Sequence, residues 1–347
     1  MFQNPGFDGH ERVVSVFHKQ SGLRAFIAIH STALGPAAGG CRLWSYDAPE
    51  RALSDALRLS RGMSYKNAVA GLPMGGGKAV ILGPVPESRR KAVFQAFGEA
   101  VESLGGTYIT AEDVGVSEAD MAVVAENTSY ASGFEMLGGV GGDPSPFTAH
   151  GVRVGIESAA GHGLGRTDIE NLHVAVQGLG GVGFNLCREL RALGARLTVA
   201  DIAADRVEAA CDLFGAERAS VDDILLVDAD VLAPCALGGA ITEDIAAGMR
   251  ARIVAGGANN QIANDDAGQI LFERGITYAP DYVINAGGII VVTAEYFGGS
   301  ALEDVERAID RIGDRTREVL ERSRKEMRPS HLVADQIARE IIEKVQA

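Results

Sequence analysis

The stretch "LHVAVQGLGGVGFNLCRELRALGARLTVADI", Leu172 to Ile202, decides the fold. A short apolar strand, "HVAVQ", runs into closely spaced glycines. Gly178, Gly180 and Gly183 match G-x-G-x-x-G, with Gly181 and Val182 inside the same turn. A segment of helical periodicity follows, and then a second strand that ends at Asp201. The motif alone is common. Set between a strand and a helix, it marks a dinucleotide-binding βαβ unit. The first glycine permits the tight turn, the second lets backbone approach a pyrophosphate, and the third lets helix pack on strand. The helix N-terminus offers unpaired N–H groups and a positive dipole end to the phosphates. Asp201 lies where a carboxylate accepts the ribose hydroxyls, and its charge would repel a 2′-phosphate, so NAD is expected over NADP. A tight turn with no ligand is the plain alternative, and the complete βαβ context weighs against it.

Further units follow the same plan. "ADVLAPCALGG", "RIVAGGANN" and "ITYAPDYVINAGG" each read as a short apolar strand ending in a small or polar turn. Strands alternating with helices predict a doubly wound parallel sheet, whose ligands sit at the C-terminal strand ends. Ala236, Leu237 and Gly238, then Asn259 and Asn260, then Asn285, are therefore placed to touch a nicotinamide or a substrate. Each asparagine could equally be a turn former. Upstream, "RVVSVF" and "LRAFIAIH" alternate as strands, Glu50 to about Lys66 reads as a helix, and "KAVIL" (Lys78–Leu82) as a buried strand. Helix, strand and a Ser-capped helix ("SEADMAVVAEN") complete an αβ domain. The Gly- and Pro-rich "GGVGGDPSPFTAHG", Gly138 to Gly151, looks like a domain junction. The expected division is 1–135 and 136–324, followed by a C-terminal segment, 325–347.

Composition narrows the function. The chain has 347 residues and a net charge of −14. That balance opposes nonspecific binding to nucleic acid or to an anionic membrane, and no apolar run reaches the length of a membrane span. The opening residues lack the charged start and apolar core of a signal peptide. Cys41, Cys187, Cys211 and Cys235 are far apart and match no zinc spacing. Reduced thiols and a cytoplasmic location are expected. The seven histidines show no ligand pattern, so no metal is expected.

"GLPMGGGKAVI", Gly71 to Ile81, raises a sharper question. A P-loop reads G-x-x-x-x-G-K-[ST]. Counting back from Lys78 places Leu72 at the first glycine, and Ala79 supplies no hydroxyl, so this is no P-loop. Three glycines before Lys78 argue for close backbone packing against something. Two other residues stand out nearby. Lys66 ends a helix, where a cation also suits the dipole, and Asp113 in "TAEDVG" could cap the next helix.

Together "GPAAGG", "MSYKNAVAGLPMGGGKAVI", "YITAEDVG", "QGLGGVG", "APCALGG", "GGANNQ" and "YAPDYVINAGG" resemble the Glu/Leu/Phe/Val amino-acid dehydrogenases, in order and spacing, from about residue 10 onward. The resemblance is greatest to the leucine and phenylalanine enzymes. It implies an N-terminal αβ domain for substrate and subunit contacts, a Rossmann NAD domain, a cleft between them, a last helix returning to the first domain, and a homo-oligomer. It also implies that Lys78 is the catalytic lysine and Asp113 the acid–base aspartate. Lys66 would pair with the substrate α-carboxylate, helped by Asn259, and Thr148 would lie near the nicotinamide. Gly39 and Gly40 of "GPAAGG" would approach the substrate, and Ala38, Ala111, Ile289 and Val292 would wall its side chain.

The implied reaction is oxidative deamination of an L-amino acid to its 2-oxo acid and ammonia, and the reverse. A lysine acts as a base only when neutral, a form that enclosure and a nearby Lys66 would favour. Domain closure would keep bulk water from the imine. Glutamate enzymes of this family carry a lysine at the place of Ala38. Leucine enzymes tend to have leucine there, and phenylalanine enzymes can have alanine. Ala111, Ile289 and Val292 look more like the leucine enzymes, so a branched aliphatic substrate is expected, leucine first, with phenylalanine the alternative. A noncatalytic NAD-sensing protein is the rival class. It would need the glycine turn without the two lysines and the aspartate.

Overall fold

The computed structural model describes residues 1–133, 136–137, 140–166 and 168–346. They form two compact units. The first comprises Met1–Gly142, Val292–Leu302 and Ala338–Ala347, and the second Asp143–Val291 and Glu303–Ile337. Glu135, at the division expected from the sequence, lies outside the described residues, as do Gly138 and Gly139 of the Gly-rich junction. Of the C-terminal segment, residues 325–337 group with the second unit and only the last ten residues with the first, joined there by 292–302.

The first unit opens with an antiparallel hairpin, β1 (Arg12–His18) and β2 (Leu23–Ser31). Short strands β3 (Ala37–Ala38) and β4 (Cys41–Trp44) precede a long helix, α1 (Pro49–Ala70). Pro49 and Glu50 suit the first turn of α1, and Gly71, at φ 70°, ends it in the left-handed region where glycine carries no Cβ penalty. Then come β5 (Gly75–Leu82), α2 (Glu87–Glu102), β6 (Tyr108–Ile109) and α3 (Glu118–Ala125). Ser117 caps α3 in a reciprocal box with Asp120, so the cap is not Asp113. Strands β7 (Met136–Leu137) and β8 (Val140–Gly141) form a small antiparallel pair.

The main sheet of this unit runs β1-β2-β5-β3-β6, and β4 also pairs with β5. Alternation along β5 assigns its side chains to two layers. Ala79 and Ile81 join Phe94, Phe97, Met121 and Val124 of α2 and α3 on one face. Val80 joins Ala52, Ala56 and Leu57 of α1 on the other. The strand starts at Gly75, three residues before the expected Lys78. A Cβ on Gly76 would lie 2.0 Å from the Ser64 nitrogen of α1, and one on Gly77 would lie 2.7 Å from the Tyr108 ring. The glycines are therefore there to let the protein pack on itself.

The second unit begins with α4 (Ser145–Leu164), β9 (His173–Gln177), α5 (Gly181–Ala192) and β10 (Arg196–Ala200). Next come α6 (Ala204–Phe214), β11 (Glu217–Arg218), β12 (Val231–Pro234), α7 (Glu243–Gly248) and β13 (Ile253–Val254). After them lie α8 (Asp265–Glu273), β14 (Thr277–Tyr278) and a short α9 (Asp281–Ile284). The chain finishes with α10 (Gly287–Phe297), α11 (Leu302–Glu326) and α12 (Ser330–Gln346).

The strand order is β11-β10-β9-β12-β13-β14, and every pairing is parallel. This is the doubly wound Rossmann order, with its switch point between β9 and β12. The expected strand through "ITYAPDYVINAGG" is only Thr277–Tyr278, and Asn285 instead ends α9. Ile289 to Thr293 is β-branched throughout, a composition that favours a strand, yet it lies in α10. A Cβ on Gly287 would sit 2.0 Å from the Phe147 carbonyl oxygen, so tight docking on α4 overrides local preference. Among the described residues, no helix is long and apolar enough to cross a membrane.

Candidate active site

In the first unit β5 delivers Lys78. The side chain is 5% exposed, and its Nζ lies 2.9 Å from Asp113 Oδ2. Arg42 of β4 donates from Nε to the same oxygen at 3.0 Å. Burial pushes the Asp113 carboxyl up, but Lys78 and Arg42 outweigh it and hold the group below the usual carboxylate range. Asp113 reaches them because the chain before it runs beside the β3–β4 junction. Gly39 N–H donates to Ile109 O at 3.1 Å, and Cys41 N–H to Ala111 O at 2.8 Å. A Cβ on Gly40 would lie 2.9 Å from Asp113 Cβ, and one on Gly39 would lie 1.8 Å from the Gly77 carbonyl oxygen. Lys66 is half-buried on α1, two residues beyond Ser64, which abuts Gly76.

An apolar wall accompanies these charges. Ala38, Met74 and Ile109 are buried together, with Tyr296 packed against them. Thr293 Oγ1 lies 3.4 Å from Met74 Sδ. Ser132 Oγ donates to Val292 O at 3.2 Å, and Gly133 N–H donates to Glu295 Oε1 at 2.8 Å. Ala111 adjoins Gly133.

In the second unit the glycine turn has the geometry a dinucleotide requires. Gly178 sits at φ 91°. A Cβ on Gly183 would lie 1.9 Å from the Gly178 carbonyl oxygen, whereas one on Gly180 would meet nothing within 4 Å. The second glycine thus leaves open space at the N-terminus of α5, as a bound pyrophosphate would need. Gly181 abuts Ser145, and Val182 abuts Gly257. Asp201 Oδ2 accepts from Leu179 N–H at 2.5 Å and Oδ1 from Ala203 N–H at 2.8 Å. Each oxygen keeps a further lone pair.

Around the switch point, Ala236 packs on Gly178, and Leu237 and Gly238 are exposed in the same turn. Gly239 N–H donates to Asn260 O at 2.6 Å. Asn285 Nδ2 donates to Asn259 Oδ1 at 2.7 Å and to Gly257 O at 3.2 Å, which fixes an exposed Asn259 from a buried partner. Thr148 Oγ1 donates to Pro144 O at 3.0 Å.

These two sets of residues accompany full-length similarity to known enzymes. Residues 10–130 match the model of the Glu/Leu/Phe/Val dehydrogenase dimerisation domain. Residues 198–340 match that of the glutamate/leucine/phenylalanine/valine dehydrogenases. The chain belongs to the Glu/Leu/Phe/Val dehydrogenase family. It is 46% identical to a leucine dehydrogenase of Bacillus subtilis over 336 residues, covering 97% of this chain and 92% of that protein. It is 42% identical to a valine dehydrogenase of Streptomyces coelicolor, covering 95% and 91%. The crystal structure of L-tryptophan dehydrogenase from Nostoc punctiforme superposes with a TM-score of 0.86 at 38% identity, covering 98% of this chain and 97% of that one. The protein is an amino-acid dehydrogenase, an oxidoreductase that works with a nicotinamide cofactor.

Within this dehydrogenase fold the structure brings Lys78, Asp113, Gly39 and Gly40 into one cluster, and α1 carries Lys66 past the start of β5. Ala38, Ala111 and Val292 share the same unit, whereas Ile289, Asn259, Thr148 and Asn285 belong to the other. The group in ion-pair contact with Lys78 is the Asp113 carboxylate. The glycines of "GPAAGG" and "GGGK" meet protein atoms at distances no Cβ tolerates, so close packing of the protein on itself requires glycine there. Sequence reasoning gives no role to Arg42, Met74, Ile109, Tyr296 or Ile202. Arg42 is visible as the one cation of "GPAAGGCR". Ile202 is 94% exposed directly after Asp201, which only a solved surface reveals.

Proposed function

We propose that the protein catalyses NAD-dependent oxidative deamination of an apolar L-amino acid, leucine first, and the reverse reductive amination. The observation that carries this reading is a buried Lys78–Asp113 ion pair in the same unit as a wall of Ala38, Met74, Ile109 and Tyr296. Alanine at position 38 carries no charge to meet a distal carboxylate, so an acidic side chain there would lose water without gaining a partner from it, at a cost of several kcal/mol.

NAD rather than NADP follows from the Asp201 charge, and the exposed Ile202 offers an apolar face beside it. Gly178, Gly180 and Gly183 with the α5 N-terminus would hold the pyrophosphate. Thr148, Ala236 and Asn285 would border the nicotinamide. The bound cofactor supplies the hydride acceptor. Lys66 pairs with the α-carboxylate, with Asn259 assisting. Asp113 takes a proton from the substrate nitrogen at Oδ1, since Lys78 and Arg42 both engage Oδ2. Lys78, having released its own proton to solvent once Asp113 is protonated and the ion pair is lost, takes a proton at Nζ from the water that attacks the imine carbon. Asp113 returns its proton to the nitrogen as the C–N bond breaks and ammonia departs.

The match to a dimerisation-domain model supports assembly of several copies, and reduced, unpaired cysteines suit the cytoplasm. Phenylalanine is the second reading, because Ala38 leaves more room than leucine would. Steady-state kcat/KM for leucine, valine, phenylalanine and glutamate with NAD separates them. Leucine should lead, by the 1–3 kcal/mol (about) that a methylene of fit is worth. Glutamate in first place would sink the pocket argument. Phenylalanine in first place would favour the second reading, and Ala38→Leu should then restore leucine.

A further inference from the structure

Arg42 reaches two carboxylates at once. Its Nε donates to Asp113 Oδ2 at 3.0 Å and its Nη1 to Asp55 Oδ2 at 2.9 Å. Asp55, on α1, is itself a hub. Tyr46 Oη donates to Oδ2 at 2.6 Å and Arg58 Nη2 to Oδ1 at 2.8 Å. The backbone explains the meeting. Arg42 pairs with Val80 in the parallel β4–β5 ladder, and Lys78 lies two residues before Val80. Paired residues, and residues two apart, project from one face of a sheet, so Arg42 and Lys78 emerge side by side. That face is the one α1 covers, which brings Asp55 within reach.

We propose that Arg42, anchored by Asp55, is a positioning residue that clamps Asp113 Oδ2 and turns Oδ1 toward the reacting nitrogen. The proposal rests on the acid–base reading of Asp113. A planar fork suits the task, because two donors fixed in one plane couple the two carboxylates, whereas a lysine offers one point charge. Two further titratable groups lie near Asp113. Cys41 of β4 and Tyr108 of β6 are both driven upward by burial, so thiol and phenol stay protonated. Lys78 is a cation on the same oxygen as Arg42. Asp55 is lowered on balance: burial raises it, but Tyr46, Arg58 and Arg42 prevail. It therefore stays ionised and draws part of the Arg42 charge away from Asp113.

Opposite electrostatic effects make the test specific. Arg42→Met should lower kcat by roughly 10- to 100-fold, the cost of a misplaced catalytic group. It should also move the acid limb of the kcat/KM profile up by roughly one pH unit, as loss of a neighbouring cation does. Arg42→Lys should keep the limb near its place and still lose kcat, because charge remains and the fork does not. Asp55→Asn should leave the limb in place or move it down, since Arg42 then attends Asp113 alone. Thermal melts identify folded variants, and the Lys and Asn variants suffice if the Met variant does not fold. Limbs that move the same way in Arg42→Met and Asp55→Asn, or normal turnover in both Arg42 variants, would overturn the proposal. A carbon-13 carboxyl titration of Asp113 in the full protein follows the clamp without turnover. Full activity in Asp113→Asn would defeat the acid–base reading itself, while that titration still reports whether Arg42 holds the carboxylate.

Discussion

At the scale of the residue, the site sets one buried lysine against one carboxylate. Lys78 is surrounded by protein on a strand that glycines allow to lie close to α1, and its Nζ has Asp113 as its ion partner. Replacing it with alanine should lower kcat by at least ~100-fold, the usual worth of a positioned base, while NAD binding, read by fluorescence titration, stays near normal. Retained turnover would remove Lys78 from the mechanism. Asp201 is the proposed NAD contact. Its oxygens already steady the glycine turn through Leu179 N–H, so Asp201→Ala should both weaken NAD and narrow its lead over NADP. Comparing KM for the two cofactors checks this, and an unmodified protein that uses both equally would contradict it. The lysine, the aspartate and the glycine turn are readable as motifs. Arg42 is not, because its role exists only once β4 lies beside β5.

At the scale of the element, β5 is a strand defined by what cannot be added to it. Gly75, Gly76 and Gly77 would place a Cβ 2.0, 2.0 and 2.7 Å from neighbouring atoms. Two of those neighbours are backbone, which cannot move aside cheaply. Gly76→Ala should therefore shift α1 or β5 and destabilise the protein by about 1–3 kcal/mol, as overpacking does. Lys78 rides on the same strand, so activity should fall along with the melting temperature. An alanine variant with unchanged melting would show that the approach of α1 is looser than these distances imply. Helix α10 teaches the reverse lesson. Its β-branched run favours a strand by propensity, and the docking of Gly287 on Phe147 makes it a helix. Periodicity reads α1 and α5 nearly to their ends, since each buries one regular face, and β9 is legible as an unbroken apolar run buried on both faces.

At the scale of the whole molecule, pH acts through buried histidines as well as carboxylates. Burial, with His10 as neighbour, pushes His30 down to about 4. Its ring sits edge-on to His10, and its Nδ1 bonds Ser64 Oγ at 2.8 Å. Unfolded, the same histidine titrates near 6.5. Between those values the unfolded chain takes up a proton that the folded one refuses. The contribution is complete above about pH 6.5 and is lost as the pH falls toward about 4. For His30 alone it amounts to roughly 3 kcal/mol. The depressed Asp55 and Asp113 carboxyls act at still lower pH, losing their contribution as the pH falls through their folded values. Melting temperatures at pH 7.5 and about pH 5 should therefore differ more for the unmodified protein than for His30→Gln. An equal drop in both would assign the acid sensitivity elsewhere.

The linear chain by itself determined the βαβ unit and the parallel, doubly wound character of the second sheet, which rest on short-range patterns: alternation, helical spacing and glycines where a backbone must turn or approach. The family, and with it the candidacy of Lys78 and Asp113, was legible through the resemblance of several motifs taken together, and that of Asp201 through its place after the second strand of the βαβ unit. What only the tertiary structure decided is who meets whom. The Lys78–Asp113–Arg42–Asp55 chain joins residues from two strands, a loop and a helix, spanning 71 positions between Arg42 and Asp113. The reason three glycines precede Lys78 likewise lies in Ser31, Ser64 and Tyr108, which are distant in the chain and adjacent in space. Such contacts leave no local pattern, because they follow from the register of one strand against another and from the helix that covers them.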